Sequence, residues 1–411
     1  MNHMTRDLHL FTMRFPNGMG EAYLENELPV LAQRFRTVTL LPLFSDAKGQ
    51  RPLPANVAVK YVVSDPYASA SVLSKLQYRA LMSEVMGEIR KSAPSLWVFA
   101  RRWPLEIRPR LSQALQRALA LKHAFAHGHL SKEAVLYSYW AYDWPIALGL
   151  LKRMDPALRF LTRMHGFDLY AERSPDGWSA FRDFVMRSAD AVYVPSQAGL
   201  DHLQETAAEH AHKVVLSRMG TTDHGLAPWS PSGTLRIVSC SNLFALKRVD
   251  LLVAALKLLQ LPVHWTHFGE GPERQRLDDV LEDLPPNVTT DFRGATPNAE
   301  IMQWYKTNPV DLFVHLSSSE GGVPVALQEA ASFGIPLLGA DAGGVREIID
   351  SHTGFLLEVD PVAERVAEVL RKFSYGDADV MAFREGVRAR WADGFRAQDN
   401  FGKLCDRLMA V

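Results

Sequence analysis

Short apolar runs rich in β-branched residues alternate with stretches of helical periodicity along most of the 411 residues. No other feature restricts the fold as much. Strands that pair in parallel need a crossover, usually a helix, so the pattern predicts parallel sheets flanked by helices. In the first half the runs are 8–15, 37–43, 57–63, 134–139, 160–164, 191–195 and 213–217. A second set follows at 235–240, 264–268, 288–292, 312–316, 335–339 and 354–357. Between the sets, GLAPWSPSG at 225–233 is rich in Pro, Gly and Ser and has no period, so it reads as a linker. The expected organisation is α/β. Residues 1–224 form one Rossmann-like domain, 234–390 a second, and 391–411 a helical tail, with the two sheets facing each other across a cleft.

Length agrees, because 411 residues exceed what one core usually serves. Apolar and charged fractions of 47% and 22% suit a soluble globular enzyme. A net charge of −1 argues against nucleic acid as the partner of the whole molecule. Cys240 and Cys405 are the only cysteines and have no paired spacing, which argues against a disulfide framework or a zinc site and for a reducing, cytoplasmic setting. No apolar run suits a signal peptide or reaches the roughly 20 residues that span a bilayer, so any membrane contact is expected to be peripheral.

The segment 320–347, EGGVPVALQEAASFGIPLLGADAGGVRE, carries the chemistry. A carboxylate, Glu320, and the pair Gly321-Gly322 precede Pro324, which suits a first helical position. The free N–H groups of that helix start, Gly322 to Ala326 including Val323 and Val325, favour a phosphate. Glu320 and Glu329 on either side can accept hydrogen bonds from hydroxyls. A second glycine pair, Gly343-Gly344, follows one strand later. Together these residues suit a sugar joined to a phosphate.

The segment resembles the nucleotide-sugar signature of retaining glycosyltransferases of the GT-B fold, in the family 4 group of hexosyltransferases. That group usually has seven residues between the two glutamates, and this chain has eight. One extra residue within a helix would turn everything after it by about 100°; the glycine pair offers a loop to absorb it. The resemblance implies Glu320 near the donor sugar hydroxyls, Glu329 on the ribose and the backbone of Gly322 to Ala326 near the diphosphate. It also implies that the last helix crosses back to the first domain.

On the donor side, the family usually has an arginine where Asn242 stands and a lysine where Lys247 stands, both neutralising the diphosphate. Lys247 fits, and Arg248 is the candidate to make up for Asn242. The opposing reading, solvated cations in a first helical turn, is disfavoured by the helix dipole. Gly269 and Gly271 in HFGEGP allow backbone to approach a ligand. Arg293 and Gly294, with Thr296, resemble the loop beside the nucleotide base.

On the acceptor side, Pro16-Asn17-Gly18-Met19-Gly20-Glu21 resembles the loop that closes over diphosphate and acceptor, which makes Gly18 and Gly20 donor candidates and Asn17 and Glu21 acceptor candidates. A G-x-G is also an ordinary turn. The run Arg163-Met164-His165-Gly166-Phe167-Asp168-Leu169-Tyr170 resembles one found in polysaccharide-assembling members. It implies His165 as a catalytic donor to the transferred sugar and Asp168 on the acceptor side. The catalytic set expected is thus His165, Glu320 and Lys247. Arg218-Met219-Gly220-Thr221 resembles a further family run of open role.

Residues 71–132 hold eleven Lys/Arg against three Glu, interleaved with Trp97, Phe99 and Trp103. Such a mixture suits an anionic membrane surface or, equally, a solvated helical insert with an aromatic core.

The resemblance implies transfer of a hexosyl group from a UDP- or GDP-sugar to a hydroxyl of a glycan or lipid-linked saccharide, with same-face attack, no cofactor and no metal. Asp377-Ala378-Asp379 reads as a helix cap rather than a metal motif. A nucleotide-sugar epimerase of the same architecture and a non-catalytic partner subunit are the alternatives.

Overall fold

A computed structural model describes residues 6–18, 20–45, 49, 51–374 and 379–411. Met19, Asp377 and Ala378 lie outside the described residues. The chain divides into two compact units: Met1–Pro195, Gly199–Ser217 and Phe401–Val411 make the first, and Ser196–Ala198 with Arg218–Asn400 the second. The change of unit falls before the Pro/Gly/Ser segment, and the returning stretch begins at Phe401 rather than at 391.

In the first unit the strands are β1 (Leu8–Thr12), β2 (Val38–Pro42), β3 (Val57–Val59), β4 (Val135–Ser138), β5 (Leu161–Arg163), β6 (Ala191–Val194) and β7 (Val214–Leu216). They form one parallel sheet in the order β3-β2-β1-β4-β5-β6-β7. Every residue of β1, β2, β4 and β5 is buried, as both faces of a parallel sheet are covered by crossover helices.

The second unit has β8 (Leu235–Cys240), β9 (Val263–Phe268), β10 (Val288–Phe292), β11 (Leu312–His315), β12 (Leu337–Ala340) and β13 (Gly354–Leu357), parallel in the order β10-β9-β8-β11-β12-β13. Its two cores follow from the twofold alternation of strand side chains. Ile237, Val314 and Leu338 pack with Trp265 on one face, whereas Val238, Phe313 and Leu337 pack with Phe268, Phe333 and Trp391 on the other.

Both sheets reverse their strand order once, between β1 and β4 and between β8 and β11. In open α/β sheets, ligands bind outside the carboxyl ends of the strands at such a reversal.

Between β3 and β4 the basic stretch folds as helices Val72–Gln77, Arg79–Ser92, Leu96–Arg102 and Arg108–Ala126, the last two joined by a π-helical turn, Trp103–Ile107. Phe99 is buried and stacks on Trp103 at 5.6 Å, whereas Trp97 is exposed. Asp379 caps the helix Val380–Gly394 by accepting from the Ala382 N–H at 3.0 Å. Among the described residues no helix is long and apolar enough to cross a membrane.

Candidate functional site

In the second unit the carboxyl ends of β8 and β11 release the segments that hold Lys247 and Glu320. A small recess there is lined by Ser241, Lys247, Arg248 and His315. The two segments are tied together, since the Leu246 carbonyl accepts from the Ser318 N–H at 2.8 Å and the Ser317 hydroxyl at 3.2 Å. As a result the Lys247 ammonium sits 2.5 Å from Glu320 Oε1, and His315 Nε2 sits 2.7 Å from the same oxygen. Burial alone would raise the Glu320 carboxyl. The hydrogen bond and charge of His315, joined by Lys247, prevail and bring it down to about 2. Glu320 is therefore an anion held by two cationic or donor partners.

The next turn leads into the helix Val325–Ser332. Pro324 stands just before the helix rather than at its first position, with φ −53° and ψ 130°, and its carbonyl takes the N–H groups of Leu327 and Gln328. The N–H groups of Val325 and Ala326 precede any intrahelical partner. Glu329, on this helix, is buried and accepts from Asn298 Nδ2 at 2.8 Å.

Gly343 and Gly344 exist to let this turn pack. A Cβ at Gly343 would lie 2.5 Å from the Glu320 carbonyl, and one at Gly344 would lie 2.7 Å from the Val323 nitrogen. Glu347, just beyond, accepts the Gln197 N–H at 2.7 Å and Arg218 Nη2 at 2.8 Å.

Other expected donor residues have different surroundings. Arg248, expected to neutralise diphosphate, is fully engaged: its guanidinium donates to the carbonyls of Leu316 and Val359, both at 2.6 Å, and to Asp360 at 2.7 Å. It braces the end of β11, at a left-handed φ of 48°. Asn242 is exposed. Gly269 and Gly271, expected to admit a ligand, admit the neighbouring strand-end loop instead. Leu243 and Glu270 share an N–H to carbonyl bond of 3.0 Å, and a Cβ at Gly269 would collide with the Ser241 carbonyl. Arg293 donates to Asp291 at 2.8 Å, and Gly294 takes a φ of 64°.

In the first unit, Gly18, Gly20 and Glu21 come after β1. Glu21, expected to meet an acceptor, spends its carboxylate on the chain itself: it accepts from the N–H groups of Met13, Arg14 and Phe15 and, at 2.7 Å, from Trp140 Nε1. Asn17, another acceptor candidate, is buried and donates to the Tyr61 hydroxyl at 2.8 Å. Gly18 has a φ of 67°, while Gly20 has open space where a side chain would go.

His165 ends up among aromatic rings, with centroids 4.4 Å from Trp140, 5.0 Å from Tyr139 and 5.9 Å from Tyr23. Its Nε2–H donates to the Tyr139 carbonyl at 3.1 Å. Burial, reinforced by the charge of Arg163, lowers it to about 3, so the ring is neutral at physiological pH. Asp168, the third acceptor candidate, caps the short helix Gly166–Leu169 by taking the His165 N–H, and it takes the Ala141 N–H at 2.9 Å. Its burial raises the carboxyl to about 7. Arg163 is sealed in the core against Glu27 at 2.9 Å, both 0% exposed.

Residues 229–390 match the model of the glycosyl transferases group 1 family. The matched residues lie within the second unit. The amylovoran biosynthesis glycosyltransferase AmsK of Erwinia amylovora is 26% identical over 180 residues, 42% of this chain and 44% of the relative. The GDP-mannose-dependent alpha-mannosyltransferase of Mycobacterium tuberculosis is 30% identical over 206 residues, 47% of this chain and 50% of the relative. The chain spans about half the length of the curated relatives it matches. Over nearly its whole length it shares a fold with HepE of Anabaena, solved in complex with UDP and glucose, at a TM-score of 0.66 and 16% identity, covering 99% of this chain and 100% of that one. With its two parallel sheets, the chain has the two-domain GT-B fold.

His315 was not expected from the sequence. As the last residue of β11, five positions before Glu320, it stands where a strand delivers side chains to the ligand end of a parallel sheet. Asn298, the partner of Glu329, gave no comparable sign.

Proposed function

We propose that the chain is a retaining hexosyltransferase that moves a hexosyl group from a UDP- or GDP-sugar to a hydroxyl of a glycan or lipid-linked saccharide, in the assembly of a bacterial surface polysaccharide. The observation that carries this reading is the contact of Lys247 and His315 with Glu320 at the β8–β11 reversal, next to the first amides of the helix Val325–Ser332. The family match of the same residues supports it, as do relatives named for amylovoran biosynthesis and for mannosyl transfer.

In this reading the diphosphate lies at the amides of Gly322 to Ala326 and draws the Lys247 ammonium towards it. Glu320, with His315 still attached, then accepts hydrogen bonds from the sugar hydroxyls, and Glu329 accepts from the ribose. The bond between the anomeric carbon and the phosphate oxygen breaks, the acceptor oxygen bonds to the same face, and its proton passes to the departing phosphate. Cation and amides supply the counter-charge, so the step calls for no metal. The first unit receives the acceptor. There Glu21 and Asp168 shape the loops that carry Gly18, Gly20 and His165.

The test is incubation with UDP-glucose, GDP-mannose and related donors, with and without saccharide acceptors. Sugar transferred with retained configuration supports the proposal. An isomerised nucleotide sugar formed without acceptor identifies an epimerase instead. Donor binding without turnover identifies a non-catalytic partner, the reading favoured by the neutral Asn242 and the fully engaged Arg248.

The proposal includes peripheral contact of 71–132 with anionic membrane. Val72, Leu73, Leu76, Leu96, Trp97 and Leu105 are 62–87% exposed, among Lys75, Arg79, Arg101 and Arg108. Exposed apolar side chains among cations suit the headgroup boundary. Co-sedimentation with phosphatidylglycerol vesicles should weaken as salt rises; no binding at low salt contradicts it.

A further inference from the structure

The end of the helix Arg108–Ala126 carries three exposed histidines, His123, His127 and His129, that the proposed reaction does not use. They come before β4 in the chain, whereas Gly18 and His165 come after β1 and β5.

The local backbone explains why their rings meet. His123 and His127 are four residues apart, which puts both on one face of the helix, and their ring centroids lie 3.9 Å apart. Gly128, at a left-handed φ of 69°, ends the helix. Its N–H goes to the Phe125 carbonyl at 3.3 Å and the His129 N–H to the Ala124 carbonyl at 2.9 Å, the paired bonds of a Schellman turn. That reversal lays the His129 ring beside His127, with centroids 6.2 Å apart and planes 15° from parallel. The Lys60 ammonium donates to the His129 carbonyl at 2.6 Å and pins the turn.

His127 Nδ1 lies 2.9 Å from the His123 carbonyl, which can only accept, so the proton sits on Nδ1 and the lone pair of Nε2 is left for a ligand. A backbone carbonyl on the second ring nitrogen is the usual support of a metal-bound histidine. The rings of His123 and His129 form no hydrogen bond among the described residues, and at exposed positions they can turn so that their nitrogens converge. The negative end of the helix dipole favours a cation here. A second group of ligating side chains in this unit, Asp183, Glu209 and His210, is already neutralised: Arg187 pairs with Asp183 at 3.1 Å, and His210 donates to the same carboxylate at 2.8 Å. A donor set of imidazoles suits zinc, nickel or copper, whereas magnesium and calcium take oxygen.

We propose that His123, His127 and His129 form a surface site for a divalent transition-metal ion of the zinc class, which ties the last turn of this helix to the turn that leads into β4. The site needs neither cysteine and does not depend on the glycosyltransferase reading.

Isothermal titration of the metal-free full chain with zinc chloride tests it, with magnesium chloride as control. Zinc should bind at one ion per chain and raise the melting temperature, and magnesium should do neither. His123→Gln and His127→Gln should each raise the zinc Kd by about tenfold or more, and His129→Gln by less. All three positions are exposed, so without zinc the variants should melt like the wild type. With copper(II) as probe, electron paramagnetic resonance should show coupling to imidazole nitrogens that diminishes in His127→Gln. Absence of zinc binding, an unchanged Kd in both His123→Gln and His127→Gln, or a loss of binding confined to His210→Gln overturns the proposal.

Discussion

The Lys247 ammonium rests 2.5 Å from the Glu320 carboxylate, although 72 residues of chain separate them. The pair exists because β8 and β11 are adjacent strands of the sheet and both end at this point. It is a preformed charge arrangement in which an arriving phosphate can compete for the cation.

Replacement of Lys247 by Met should therefore act on donor binding more than on folding. Glu320 keeps His315, so the loss of stability should be modest, about 1–3 kcal/mol. Nucleotide affinity should fall by about tenfold or more. Isothermal titration with UDP and GDP, beside a thermal melt, checks both halves.

Acid should loosen this unit with a definite sign. Glu320 is lowered from 4.5 to about 2 in the folded chain, so its contribution is fully present above about pH 4.5 and is lost as pH falls towards 2. The amount is on the order of 3 kcal/mol. Glu320→Gln should flatten the dependence of stability on pH between 5 and 2, and an unchanged slope in urea melts at several pH values speaks against the assigned contacts.

Gly269 and Gly20 should respond in opposite ways to alanine. Gly269 has φ 144° and its missing side chain points at the Ser241 carbonyl, so Gly269→Ala should cost about 3 kcal/mol or more. Gly20 has nothing within 4 Å of that position, so Gly20→Ala should be within about 0.5 kcal/mol of neutral. Denaturant titration of the two variants makes the comparison.

Arg248→Lys should destabilise nearly as much as Arg248→Met. The guanidinium reaches Leu316, Val359 and Asp360 at once, and an ammonium lacks that planar fork. If Lys restores wild-type stability, Arg248 is not the brace described above.

All thirteen apolar runs overlap a strand, because continuous burial on both faces leaves a plain mark in parallel strands. Their ends were less legible. The run 57–63 yields only Val57–Val59, an edge strand with one neighbour and partial exposure. Glu320 and Glu329 stand out in the sequence because a glycine pair and a helix start lie between them, and Lys247 stands out only through the resemblance. The roles of Glu21, Asp168 and Arg248 could not be read. A charged side chain is the same letter whether it waits for a ligand or holds backbone N–H groups and carbonyls, and only the folded chain brings those partners to it.

The most direct test of the account is a thermal-shift comparison of the wild type and Lys247→Ala with UDP, GDP, ADP and their sugars. One nucleotide and its sugar should raise the melting temperature of the wild type, as any ligand specific to the folded state does, and the rise should vanish in the variant. No shift with any of them, or an equal shift in both proteins, contradicts the claim that Lys247 and Glu320 hold a nucleotide diphosphate sugar.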